Sequence, residues 1–221
     1  LIDKYGADAV RFGIMISSPA GNDLLWDESS NEQGRNFCNK LWNALKLLKM
    51  WEEKTPTTFD YNEDEAKKAY FAIAWFDARL QQVSIELDQL YNQFKLSEVL
   101  KTLYTLVWDD FCGKYLEIIK PTYQTPIHAD TLKDAFQIFD QLMRLLHPYM
   151  PFITEEIWQA IDVREANTSI CTAPFPQSTK VNTALIQQFD TIFEVVTKIR
   201  EIRNSKQLSP KLALSLEIKT G

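Results

Sequence analysis

The stretch Arg35-Asn36-Phe37-Cys38-Asn39-Lys40-Leu41-Trp42-Asn43-Ala44 decides how this chain folds. Set at about 100° per residue, Phe37, Leu41 and Ala44 fall on one side, and Leu45 and Leu48 extend the same stripe. The pattern predicts a helix from about Asn31 to Glu53, with start chemistry in Asp27 to Asn31 and a stop at Thr55-Pro56-Thr57-Thr58. Arg35, Asn39, Asn43 and Lys46 cluster opposite the apolar stripe, and Asn36, Lys40 and Trp42 lie on the flanks. A plain solvated face would carry Glu and Lys, which are good helix formers, whereas asparagine is a poor one. Two readings are open at this point. The amides are buried between helices, where they would need partners, or they are offered to base edges beside an arginine and a stacking indole.

Outward from this helix the periodicity stays helical. A second long helix starts near Asn62, with Glu65 as a capping-box partner. Its stripe is Ile73, Phe76, Leu80, Val83, Leu87, Leu90 and Phe94, in steps of three and four that suit packing against near-parallel neighbours. A third runs from about Ser97 to Lys120 on Leu100, Leu103, Tyr104, Val107, Phe111, Tyr115 and Ile118, and Pro121 stops it. A fourth spans about Asp130 to Leu146 on Leu132, Ala135, Phe136, Phe139, Leu142 and Met143. His147-Pro148 and Met150-Pro151 break the chain, and a short fifth helix covers about Thr154 to Ile161. Asn182 to Asn204 reads as a sixth, on Leu185, Phe189, Ile192, Val196, Ile199 and Ile202. Leu212, Leu214, Leu216 and Ile218 then alternate with polar or small residues, which is a strand signal.

The predicted class is all-α: an up-and-down helix bundle with a small N-terminal element and an orphan strand. Its divisions are 1–30 (a mixed segment, with a short helix over Asp3 to Ile16 and a loop over Ser18 to Asp23), 31–162 (the bundle), 163–180 (a polar linker) and 181–221 (the last helix and the start of an α/β element).

Chemistry is hard to find. Two His and three Cys (Cys38, Cys112, Cys171) show no metal-ligand spacing, and His147 reads as a cap on carbonyls at a helix end. The scattered cysteines read as free thiols of a reducing cytoplasm. Asp109-Asp110 and Glu155-Glu156 are adjacent pairs, which point about 100° apart on a helix and form no dyad. Asp110 lies beside its helix's buried stripe and reads as the partner of a buried cation. Glu155 and Glu156 read as first-turn residues that suit the helix dipole. Only 6 Gly are present, and no glycine-rich loop joins a strand to a helix. The formal net charge of −6 counts against coating of DNA or RNA without selectivity, yet it allows reading of a few unstacked bases. Lys198, Arg200, Arg203, Lys206 and Lys211 form one local basic concentration, read either as a solvated helix end or as a phosphate contact. No apolar run approaches the ~18 residues of a membrane span, and Leu1-Ile2-Asp3-Lys4 shows no signal or transit pattern.

Several motifs, in order, resemble one family. Tyr5-Gly6-Ala7-Asp8-Ala9-Val10-Arg11-Phe12 is similar to the segment after the KMSKS signature in the class I aminoacyl-tRNA synthetases for valine, isoleucine and leucine. Gly21-Asn22-Asp23 and Asn36 to Ala44 resemble the valine–tRNA ligases in particular. Trp108-Asp109-Asp110-Phe111-Cys112, Tyr115-Leu116-Glu117 and His147-Pro148-Tyr149-Met150-Pro151-Phe152-Ile153-Thr154-Glu155-Glu156-Ile157-Trp158 complete the likeness.

The resemblance implies a bundle of the class I anticodon-binding type, cut from a longer enzyme that loads valine onto tRNA with ATP and hydrolyses mischarged tRNA. In that frame residues 1–30 end the junction with a catalytic domain that precedes Leu1. The segment itself is expected to be non-catalytic and to hold no cofactor or metal; ATP belongs to the parent enzyme. The expected partners are valine-specific tRNA and the rest of the synthetase, with no DNA and no membrane. Arg35, Asn39, Trp42 and Asn43 fall where the family meets anticodon bases, with Lys40 and Lys46 in reach of phosphate. The alternatives are the corresponding region of the isoleucine or leucine enzyme, or a helical scaffold that binds proteins.

Overall fold

A computed structural model describes residues 1–18, 23, 27–56, 63–122, 125–177, 180–209, 212–215 and 217. Two units are present, Leu1–Val181 and Asn182–Gly221.

The first unit opens with α1 (Ile2–Tyr5) and α2 (Ala7–Ile16). The long α3 (Glu28–Lys54) follows. It starts earlier than the apolar pattern suggests, because the Asp27 side chain accepts from Ser29 N at 3.1 Å and caps it. Phe37, Leu41, Ala44, Leu45 and Leu48 are all buried, and Trp51 extends the stripe. Each large apolar side chain removed from water here contributes about 1.5–3 kcal/mol.

α4 (Glu63–Asn92) and the helix after it form an antiparallel hairpin around a three-residue turn, with contacts along their lengths. The stripe of α4 is buried at Phe76, Leu80, Val83 and Leu87. Phe94 does not extend it. It lies past the helix end at φ 58° and is 82% exposed. Phe94 N donates to Tyr91 O at 2.9 Å and Lys95 N to Leu90 O at 3.0 Å, the paired bonds of a Schellman ending. Asn62, the expected cap of α4, lies outside the described residues, and Glu65 instead accepts from Thr122 Oγ1 at 2.9 Å.

The third rod is α5 (Leu96–Thr105), a π-helical segment (Leu106–Tyr115) and α6 (Leu116–Ile119). The wider winding was not anticipated from the sequence. It explains why the buried residues Leu103, Val107, Phe111, Tyr115 and Ile119 recur at intervals of four. In a pure α-helix that spacing drifts by about 40° a step. It also explains why Ile119, and not Ile118, faces the core.

Asp110, buried inside this segment, receives Arg79 Nε at 2.9 Å and Lys114 Nζ at 2.7 Å, the ion-pairing role read for it. α7 (Ala129–Leu146) packs on α3 and α4 and completes an up-and-down bundle. The rings of Phe76, Phe111, Tyr115 and Phe139 meet in its core at centroid distances of 5.2–5.7 Å.

α8 (Pro151–Ile161) begins at Pro151, a residue suited to the first helical position. Glu155 and Glu156 therefore lie beyond the first turn, which corrects the dipole reading. Asp8 of α2 meets this helix start, where its Oδ2 accepts from Ile153 N at 2.6 Å and its Oδ1 from Phe152 N at 3.3 Å. Burial raises the Asp8 carboxyl above the usual carboxylate range, against the pull of those two amides. Arg11 adds bonds to the Tyr149 and Pro148 carbonyls. The N-terminal element is thus bolted to the His147–Pro151 corner.

The second unit holds α9 (Thr183–Ser205), capped by Asn182 through Leu185 N at 3.2 Å. Ile186 and Phe189 are buried, whereas Ile192, Val196 and Ile202 of the expected stripe are exposed. Of the strand expected over 212–218, Leu216 and Ile218 lie outside the described residues. Leu212 to Ser215 is irregular backbone, and no strand occurs among the described residues. A strand with no neighbour to complete its hydrogen bonds has little to hold it extended.

Candidate nucleic-acid interface

The middle of α3 presents one exposed ridge, Asn36, Asn39, Asn43 and Lys46, at helical spacing. Burial between helices therefore does not account for these three amides. The buried asparagine of the helix is a different one, Asn31, at 0% exposure. Trp42 and Arg35 are half-buried along one edge of the ridge, and Lys40 is half-buried on the other. The sequence grouped Arg35 with the exposed ridge and left Asn36 on its flank; the helix exchanges them.

The edge cations are held from below. The Arg35 guanidinium stands over the Tyr5 ring at 5.5 Å and its Nη2 pairs with Glu32 at 3.3 Å. Lys40 Nζ stands over the Trp108 ring at 5.2 Å. Trp108 stacks on Tyr104 at 5.4 Å and 17°, and Phe37 and Phe12 pack against Tyr104 at 4.9 and 5.9 Å. Four rings from three helices thus support the ridge, and a rigid support cuts the ordering cost of binding. Periodicity along α3 could not reveal Tyr5 and Trp108, because both pairings join distant segments. The one local hint was an aromatic at 108 beside its helix's buried stripe.

What the ridge can do follows from its groups. Each amide offers two donors and an acceptor that match base edges, and Lys46 is an exposed cation for phosphate. Arg35 and Lys40 are presented at fixed positions, with part of their charge committed to neighbours.

Other polar groups are engaged in holding the fold. Asp140 pairs with Arg144 and Arg164, both at 2.8 Å, along the wall of a cleft of about 860 Å³ between α3, α7 and α8. In the basic run of α9, Lys198 pairs with Glu201 at 3.2 Å, and Arg203 closes the helix end by donating to Ser209 O and Leu212 O. Lys211 lies outside the described residues. Burial pushes the thiols of Cys38 and Cys112 up to about 12, which leaves both protonated and poor nucleophiles at neutral pH. His147 does not cap carbonyls as read from the sequence; its ring nitrogens meet Thr154 Oγ1 at 2.8 Å and Cys171 Sγ at 3.1 Å.

Comparisons with known proteins place the chain in a family. Residues 74–218 match the family model described as the anticodon-binding domain of tRNA ligase. Over 217 residues the chain is 45% identical to a valine–tRNA ligase of Porphyromonas gingivalis, covering 98% of this chain and 24% of that one. It is 43% identical over 218 residues to that of Bacteroides fragilis (99% and 24%). With the enzyme of Zymomonas mobilis it shares 32% over 222 residues (98% and 25%). The chain thus spans about a quarter of the length of the curated relatives it matches. Its fold resembles part of the Agrobacterium radiobacter K84 LeuRS, solved in a ternary complex with tRNA and LeuAMS. The TM-score is 0.52 at 17% identity, over 84% of this chain and 21% of that one. With the family model matched over most of its length, the chain belongs to the anticodon-binding domains of tRNA ligases.

Proposed function

We propose that this chain is the anticodon-binding region of a valine–tRNA ligase, and that the α3 ridge reads the anticodon of valine-specific tRNA. The observation that carries the second part is the exposure of Asn36, Asn39 and Asn43 on a helix held from below by aromatic rings. Exposed asparagine weakens a helix, and this ridge carries three of them where Glu or Lys would favour it. In this reading Asn39 and Asn43 hydrogen-bond base edges, Trp42 offers a stacking face and Arg35 closes one edge. Lys40 and Lys46 meet phosphate.

Adenylation of valine with ATP, transfer to tRNA and editing are assigned to the rest of the parent enzyme, a cytoplasmic protein in this reading. The relatives' names support valine over isoleucine or leucine. No helix among the described residues is long and apolar enough to cross a membrane.

The test is direct binding of valine tRNA, with competition by the same tRNA carrying an altered anticodon. The altered molecule should compete poorly, and added salt should weaken both. Equal competition by the two tRNAs would refute anticodon reading by this region.

A further inference from the structure

The corner between α7 and α8 brings together three metal-ligand types that are far apart in sequence. His147 sits in the corner itself and Glu155 in the second turn of α8. Cys171 belongs to the short 3₁₀ turn Ile170–Thr172, which packs against α8. Their ligand atoms all lie within 4.8 Å of one another.

The surroundings are arranged as they are behind a metal-bound histidine. Thr154 is fully buried, and its hydroxyl donates to Met150 O at 2.8 Å. With its proton committed there, its oxygen accepts from His147 Nδ1–H at 2.8 Å. That bond fixes the tautomer, so the Nε2 lone pair points at Cys171 Sγ, 3.1 Å away. A hydrogen bond from the second ring nitrogen is the usual support of a ligating imidazole.

The Glu155 carboxylate is held as firmly. Oε1 accepts from Gln159 Nε2 at 2.8 Å, and Oε2 from Ser169 Oγ at 2.7 Å and Ile170 N at 3.2 Å. A carboxylate has about four acceptor positions, so one remains.

We propose that His147 Nε2, Cys171 Sγ and Glu155 form a binding site for a divalent transition metal of zinc type, clipping the Ser169–Thr172 turn to the α7–α8 corner. Nitrogen, sulfur and oxygen donors together suit zinc and exclude magnesium and calcium. Tetrahedral bond lengths call for an N···S separation of roughly 3.5 Å. A small rotation of the exposed Cys171 side chain provides that opening. The Cys171 thiol proton leaves to solvent as the metal binds, and water takes the fourth position. The site does not depend on the tRNA reading.

The test uses the intact protein, stripped with chelator and dialysed against Co²⁺, with Cys171→Ala beside it. Cys38 and Cys112 remain in both, so the difference reports Cys171 alone. The wild type should hold one more Co²⁺ per chain than the variant. It should show thiolate-to-cobalt charge-transfer absorption that Zn²⁺ abolishes by displacement. His147→Gln should behave like Cys171→Ala, and Thr154→Val should weaken the metal about ten- to a hundredfold. Circular dichroism verifies that each variant is folded. Equal cobalt content and spectra in wild type and Cys171→Ala would overturn the proposal, leaving a plain Cys–His hydrogen bond.

Discussion

The start of α3 and its middle use the same residue type in opposite ways. At the start, Asn31 is fully buried against α2, and its amide finds no hydrogen-bond partner among the described residues. Gly34 lies so close to α2 that an added Cβ would stand 2.6 Å from Ala9 O. A turn later, Asn36, Asn39 and Asn43 face solvent over a floor of rings. What an asparagine does is therefore set by what faces it. Against another backbone it is a costly joint, and over an aromatic platform it is a free hydrogen-bonding group.

That contrast separates two classes of substitution: those that move stability and those that move RNA binding alone. The largest effect should come from Asp110→Ala, which removes the buried carboxylate that Arg79 and Lys114 share. Breaking a buried pair in this way costs about 3 kcal/mol, at the low end because both cations reach some water. The denaturation midpoint measures it. Gly34→Ala should separate α2 from α3 and cost about 2 kcal/mol, the clash outweighing a gain in helix propensity of about 1 kcal/mol. An unchanged midpoint would show that the α2–α3 joint yields freely. Trp42→Ala should weaken tRNA binding by about 1–2 kcal/mol, the worth of one stacked base. A fall in thermal stability with no change in affinity would move Trp42 from the ridge to the joint. The smallest effect is a gain: Phe94→Gly relieves a left-handed aromatic residue and should stabilise by about 0.5–1 kcal/mol. A loss would mean the exposed ring has contacts that offset its strain.

Much of the bundle was legible in the sequence, because a helix writes its buried face into local spacing. The stripe of α3 and the ion-pairing of Asp110 needed nothing more, whereas α7 buries Ile138 and leaves Phe136 of its expected stripe half-buried. Features that depend on distant segments were not legible. Tyr5 beneath Arg35 and Trp108 beneath Lys40 are such cases, and so is the His147–Glu155–Cys171 cluster, whose members share no spacing rule. The π-helical segment left a trace, the repeated interval of four from Leu103 to Ile119, that reads as ordinary helix without the wider winding in mind. Phe94 continued a pattern past the point where the backbone turned. Leu212 to Ile218 alternated like a strand, which is a statement about one chain when a sheet requires two. The ridge itself lay between these cases. Its residue types were visible, but their exposure, which decides between a buried amide and an offered one, is a tertiary fact.

Discrimination of anticodons by the α3 ridge is measurable as a ratio of two affinities. Affinity for valine tRNA and for an anticodon-altered copy is measured on the wild type and on the double variant Asn39→Ala, Asn43→Ala. The variant should be as stable as the wild type, since both positions are exposed. The ratio of the two affinities should fall toward one in the variant, while salt-dependent binding of both tRNAs persists. A ratio that survives the loss of both amides would contradict discrimination by the ridge.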